Sequence, residues 1–167
     1  MALDTRLKLS LSSLLTGATD LQPRSAPLNY VVSKALTNGT GANQADRVFS
    51  DQRTIAASAT DSLDLSGTLT DAFGAAVTFA RIKMVLVTAA ATNVNNVNVT
   101  RPASNGVPLF LAAGDGVPVR PGGMFCWACT DATGVAVTAG TGDLVDIVNS
   151  GAGSSVVYDI VVIGASA

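Results

Sequence analysis

From Ile55 to its end the chain reads as one short apolar stretch after another, each rich in Val, Thr, Ile or Phe and closed by Gly, Asp or Asn. The stretches are "SLDLSG", "AAVTFARIKMVLVTA", "NNVNVT", "VPLFLAAG", "MFCWACT", "VAVTAG", "DLVDIVNS" and "SVVYDIVVIG", with no helical segment between them. Strands at hairpin spacing predict an all-β antiparallel sandwich or jelly-roll-like domain rather than a parallel α/β sheet. Ser62, Asp64 and Ser66 alternate with Leu63 and Leu65, the mark of a strand with one wet face and one dry face. The last stretch is apolar on both sides: Val156, Tyr158, Ile160 and Val162 on one, Val157, Val161 and Ile163 around Asp159 on the other. Such a strand belongs in the middle of a sheet or against a neighbouring subunit.

The first fifty residues read differently and predict an extended N-terminal arm, residues 1–50, ahead of a β-sandwich domain, residues 51–167. Leu7, Leu9 and Leu11 alternate with Lys8 and Ser10, a strand that needs a sheet elsewhere. "LQPRSAP" then breaks the chain with two prolines. In "LNYVVSKAL" the residues Leu28, Val31, Val32, Ala35 and Leu36 fall at helical spacing, which predicts one short amphipathic helix ended by "TNGTG". The arm is too small to hold a core, so it packs across its own β domain or reaches onto another chain.

Composition narrows the possible partners. The 167 residues suffice for one domain with a core of its own. Charged residues make up only 13%, about half the usual share, so much of the surface is expected to face other protein. The net charge is −2 and the ten basic residues are scattered, which leaves no stripe for a nucleic-acid backbone. Histidine is absent, removing the commonest general acid/base and the commonest metal ligand. No apolar run approaches the ~20 residues of a membrane-spanning helix. The opening "MALDTRLKLSLSSLLTGATD" fits a secretory signal poorly, because Ser10, Ser12 and Ser13 interrupt its apolar part.

One phrase occurs twice: "TDAFGAAVT", Thr70 to Thr78, and "TDATGVAVT", Thr130 to Thr138. A duplicated active site would need partners for Asp71 and Asp131, and the sequence offers neither His nor paired carboxylates. Turn chemistry needs nothing more: each Asp accepts backbone N–H groups, and Gly74 and Gly134 supply the positive φ of a hairpin with a bulge. The phrase is read as two equivalent hairpins.

"CWAC", Cys126 to Cys129, lies inside a strand, where positions i and i+3 point to opposite faces, so it predicts two buried, inert thiols rather than a redox pair or half a zinc site. "GTGANQAD", "AGTGD" and "SGAGSS" lack the lysine and the strand-to-helix context of a phosphate cradle. "NGT" and "NVT" fit the glycosylation pattern but carry no weight without a signal peptide. Asn93, Asn95, Asn96 and Asn98 form a polar ladder, either a solvated hairpin or a contact surface between subunits. No residue is assigned to catalysis, to a cofactor or to a metal.

The runs "GTGANQADRVFSDQRTIAASATDSLDLSGTLTDAFGAAVTFARIKMVLV" and "VRPGGMFCWACTDATGVAVTAGTGDLVDIVNSGAGSSVVYDIVVIGA" resemble small virion structural proteins of tailed bacteriophages, of the kind that decorate or cement the capsid. The resemblance spans roughly Gly39 to Gly164 in phrasing and includes no catalytic signature. It implies a β-rich homo-oligomer, a trimer, bound to the major capsid protein at local three-fold positions of the head, with an arm reaching across neighbouring capsid subunits. The protein would be made in the host cytoplasm and reside on the virion. Leu7, Leu9 and Leu11 are the expected fastening residues. The alternatives are a phage tail spike, fibre or adaptor module, and a ligand-binding β-sandwich outside any virus; an enzyme comes last.

Overall fold

A computed structural model describes residues 2–167 of the chain. In chain order its strands are β1 (Thr5–Gly17), β2 (Arg24–Asn38), β3 (Gln44–Ala45), β4 (Arg47–Ile55), β5 (Thr60–Asp64), β6 (Arg81–Ala89), β7 (Val97–Thr100), β8 (Gly116–Val119), β9 (Met124–Ala128), β10 (Val135–Ala136), β11 (Leu144–Asn149) and β12 (Val156–Ala165). No helix occurs among the described residues, and the fold is all-β, as the spacing of the apolar stretches predicts.

Alternation sorts the strands into two facing sheets. One has the order β10-β6-β12-β4, with β9 also on the edge of β6; the other runs β5-β11-β7-β8. Their inner residues form the main core, with Val85, Val87, Tyr158 and Ile160 of the first sheet against Leu63, Val97, Val99 and Ile147 of the second. β12 lies in the middle of its sheet, between β6 and β4. The second sheet covers its inner face, and Leu36 with its neighbours packs on Ile163 of the outer one. The outer face of the four-stranded sheet is wet: Ser62, Thr100 and Asp146 share it, and the Ser62 hydroxyl donates to Asp146 Oδ1 at 2.6 Å.

The first two strands form a hairpin outside the sandwich, paired antiparallel from Thr5↔Leu36 to Gly17↔Arg24. The short helix expected over "LNYVVSKAL" is therefore replaced by strand β2. The same residues also alternate, with Leu28, Tyr30, Val32 and Leu36 on one side, and β1 supplies the pairing that this second period needs. Pro27 sits inside β2 opposite Leu14, where no third strand lies beyond it and its missing N–H costs no ladder bond. The expected division at 50/51 falls inside β4, whose Phe49 belongs to the main core.

Two further stretches differ from expectation. "VPLFLAAG" is a loop: Pro108 interrupts it, Phe110 packs on Phe125 with ring centroids 5.9 Å apart, and the Arg101 guanidinium donates to the carbonyls of Phe110 and Leu111. Residues 75–80 of "AAVTFARIKMVLVTA" cross between the sheets instead of joining β6, with the Val77 N–H bonded to Leu69 O and the Phe79 N–H to Leu65 O.

The repeated phrase builds turns at both sites. The Asp71 carboxylate accepts from the Phe73 and Ala75 N–H groups at 2.9 Å, and the Asp131 carboxylate from the Gly134 N–H at 2.6 Å. Gly74 and Gly134 have φ of 81° and 59°. The two are not equivalent hairpins, however. The first closes on itself through the Thr70↔Ala76 bridge, whereas β9 and β10, on either side of the second, both pair with β6. The second copy is thus a loop extruded from one interrupted edge strand. Opposite it, Ile82 pairs with Gly164 and Met84 with Ile163, so Lys83 is the extra residue of a bulge. Lys83 is fully buried, and its ammonium donates to the Asp131 carbonyl inside the extruded loop.

Candidate functional site

The hairpin is the part of the molecule that the fold leaves unfinished. At about 3.3 Å per residue, the 13 residues of β1 span roughly 40 Å. Cross-strand register fixes what each face carries. Leu9 faces Val32 and Leu11 faces Tyr30, with Ser13 opposite Leu28 and Leu15 opposite Ala26 on the same side. The other side carries Lys8 with Ser33, Ser10 with Val31 and Ser12 with Asn29, and the Ser12 hydroxyl donates to Asn29 Oδ1 at 2.9 Å. One face is thus a nearly continuous apolar strip and the other is mostly polar.

Only the base of the strip is covered. Leu36 is fully buried and, with the partly buried Leu3 and Leu7, packs on Met84, Ile163, Val48 and Ala128 of the five-stranded sheet's outer face. The Leu3 N–H donates to Asn38 Oδ1 at 3.0 Å and β3 adds a short parallel pairing to β2, so the base is anchored by backbone as well as by packing. Beyond it Leu11 is 55% exposed and Tyr30 60%, and Leu9, Leu15 and Leu28 are also open to solvent.

Of the fastening residues expected from sequence, Leu7 therefore serves the protein's own second core, while Leu9 and Leu11 stand free. Tyr30, Val32 and Leu28 complete the strip, and the helical spacing that coexists over the same residues masks them in the sequence. Their period-2 spacing was the available signal.

The asparagines do not form one surface. Asn93 lies between β6 and β7 and takes the place of a neighbouring strand: its Nδ2 donates to Val157 O at 2.8 Å, and its Oδ1 accepts from the Val157 N–H at 2.9 Å. The Asn95 amide donates to Asn149 Oδ1 and to the carbonyls of Gly151 and Ser154, tying the 149–154 turn to the sheet. Both side chains spend their hydrogen bonds inside the chain. Asn96 is half-buried and bonds through its backbone to Ser150, while Asn98 lies within β7 with a buried, unpartnered Oδ1.

The cysteines depart from the expected buried pair. Cys126 is exposed on the outer face of β9, and Cys129, half-buried, lies past the strand's end. Burial and a hydrogen bond to Asp131 push the Cys129 thiol above its ordinary range, and the same contact, with the Gly134 N–H, holds the Asp131 carboxyl low. Among the described residues no three of His, Cys, Asp and Glu gather as a metal set, and no helix is long and apolar enough to cross a membrane.

The densest polar network joins the two sheets. The Arg53 guanidinium donates to Asp61 at 2.6 and 3.1 Å and to Asp51 at 3.1 Å, and the Tyr158 hydroxyl donates to Asp61 Oδ2 at 2.8 Å. Each of these groups is paired, which makes the network a tie between sheets. No protein-family model, no curated protein and no solved structure matches this chain.

Proposed function

We propose that the protein is a structural virion component that decorates and stabilises a phage capsid, binding the surface of assembled capsid subunits as an oligomer. The observation that carries this reading is the hairpin: an extended element of roughly 40 Å, anchored at one end, that presents an apolar strip and unpaired strand edges to a protein partner. The polar ties are spent within the fold, which suits a part that holds still and makes contacts. A repetitive shell multiplies modest contacts, so each site needs only moderate affinity for the ensemble to resist internal pressure. The resemblance of the two long runs to small phage virion proteins is in keeping with this reading.

The test uses shells assembled from the major capsid protein of the phage that carries the gene. The full chain is added, the shells are sedimented, and bound protein is measured against added protein. The reading expects saturable binding at a fixed ratio to capsid subunits and shells that rupture at a higher temperature. Absence of the protein from the pellet at saturating input would overturn it.

A further inference from the structure

The apolar strip of the hairpin has a matching acceptor on the same chain, in a place the hairpin itself leaves open. The outer face of the five-stranded sheet is built in rungs across β9, β6, β12 and β4. The rung Ala128, Met84, Ile163 and Val48 lies under the hairpin base. The next rung, Cys126, Leu86 and Val161, continues the apolar surface but is only half-covered, with Cys126 exposed, and Met124 beyond it is 64% exposed. Between them opens a groove of about 150 Å³, lined by Met84, Leu86, Cys126, Val161 and Ile163 of the sheet and, at the hairpin base, by Thr5, Arg6 and Leu7. An apolar space of that size takes a benzene-sized group, hence one Leu or Tyr side chain.

Charge selects the occupant. Residues 1–38 carry four cations, Arg6, Lys8, Arg24 and Lys34, all on the hairpin strands, against two acids, Asp4 and Asp20, both outside them, whereas residues 39–167 carry ten Asp against six Lys or Arg. Lys34 opposite Leu7 and Arg24 opposite Gly17 bracket the strip on its own face. Two hairpins packed face to face in antiparallel fashion would bring these like charges together. The sheet offers the opposite sign: Asp159, in the rung next to Leu86 and Val161, accepts from Gln52 Nε2 and Thr88 Oγ1 and pairs with no cation among the described residues.

We propose that the hairpin of one copy lies across the outer face of the five-stranded sheet of a second copy, seating Leu9, Leu11 and Tyr30 over the Leu86, Cys126 and Val161 rung. The contact extends onto a second copy the surface that Leu7 and Leu36 already cover within one. Because it joins two different patches it is heterologous, and it closes into a ring where the rotation permits. The inference rests on reading the hairpin as an interaction element, but it needs no capsid.

The natural thiol at Cys126 supplies the test. In the full chain carrying Cys129→Ser, the additional substitution Leu11→Cys places a thiol on the strip, and mild oxidation is followed on non-reducing gels. The contact predicts covalent dimers and larger species at least tenfold more abundant than with Ser12→Cys on the opposite face, and their loss when Cys126→Ser is added. Cross-links that survive Cys126→Ser mean that hairpins pair with each other and overturn the proposal, as does oxidation that yields monomers only. Light scattering gives the second readout. The full chain is expected at a multiple of its 16.8 kDa mass and Leu11→Asp at that of one chain with an unchanged β spectrum, and a monomeric full chain overturns the proposal. A chain that cross-links as expected but fails to sediment with shells overturns the decoration reading alone, and shells bound by a monomer overturn this contact alone.

Discussion

The Tyr158 hydroxyl of β12 reaches across the sandwich to donate to Asp61 Oδ2 of β5 at 2.8 Å. Both sheets are thereby tied at a point where the Tyr158 ring is fully buried and Asp61 is already held by Arg53. Tyr158→Phe keeps the ring and removes the bond, so it is expected to lower stability by about 1.5 kcal/mol, the lower end for a hydrogen bond to a charged group, because Arg53 remains on Asp61. Denaturant unfolding checks it. An unchanged midpoint would show that water replaces the hydroxyl at no cost.

The same network sets the pH response. Burial pushes the Asp61 carboxyl up, but the bonds from Arg53 and Tyr158 outweigh it and hold the group below the ordinary carboxylate range. A depressed folded value means stability present above the unfolded pKa of about 3.9 and lost as pH falls through the folded one. Burial and the bond to Asp61 push the Tyr158 phenol far upward. A raised value means stability fully present below about pH 10 and declining as pH climbs past it. Melting temperatures measured from pH 2 to 11 should therefore fall at both ends, and Tyr158→Phe should flatten the alkaline fall.

The two copies of the repeated phrase should tolerate substitution differently. A Cβ on Gly74 would meet open space, so Gly74→Ala bears only the left-handed backbone, about 1 kcal/mol. A Cβ on Gly134 would lie 2.5 Å from Ile82 O, because the extruded loop runs against the β6 bulge. Gly134→Ala is expected to cost about 3 kcal/mol. Equal shifts in the two unfolding midpoints would contradict the distinction between hairpin and extruded loop.

The thiols should separate by reactivity. Cys126 is exposed in a single chain and Cys129 is half-covered with its thiol pushed up by burial and Asp131, so in the single-chain Leu11→Asp variant at pH 7 a disulfide reagent should modify Cys126 at least tenfold faster. Mass spectrometry of digests taken over time reads both sites. Formation of a Cys126–Cys129 disulfide on oxidation would contradict the strand geometry.

Leu36 anchors the hairpin and Leu11 does not touch the sandwich core. Leu36→Ala is expected to cost about 3 kcal/mol at the base and to expose the hairpin to protease while the sandwich stays resistant. Leu11→Ala should leave the protease pattern of a single chain unchanged. The comparison is made by limited proteolysis with the cut sites identified.

Turns and strand faces were legible wherever the chemistry is local. Asp71 and Asp131 announce their turns because a short carboxylate captures N–H groups two to four residues away whatever lies around it. The two apolar faces of Val156–Gly164 announce a strand with something packed on each side: the second sheet lies over one face and the hairpin base over the Ile163 end of the other. "VPLFLAAG" misled because apolar content alone does not show that a backbone pairs: Pro108 breaks the ladder while Phe110 still reaches the core edge. Cys126 misled because its strand buries only the alternate residues, and the alternation could not say which face would be covered.

By itself the sequence determined that this chain is all-β, that it turns at Asp71 and Asp131, and that Leu7, Leu9 and Leu11 share one side of a strand. Those properties follow from backbone sterics, turn hydrogen bonds and period-2 alternation, all of which act over a few residues. Only the tertiary structure decided that Leu28–Leu36 is a strand, since helical and alternating spacing coexist there and pairing with β1 selects between them. It also decided that one repeat closes a hairpin while the other is extruded beside Lys83, because that depends on which strand lies opposite. The apolar strip from Leu9 to Tyr30 is the last such outcome: two distant segments brought into register make one face, and the sandwich covers that face only as far as Leu7 and Leu36.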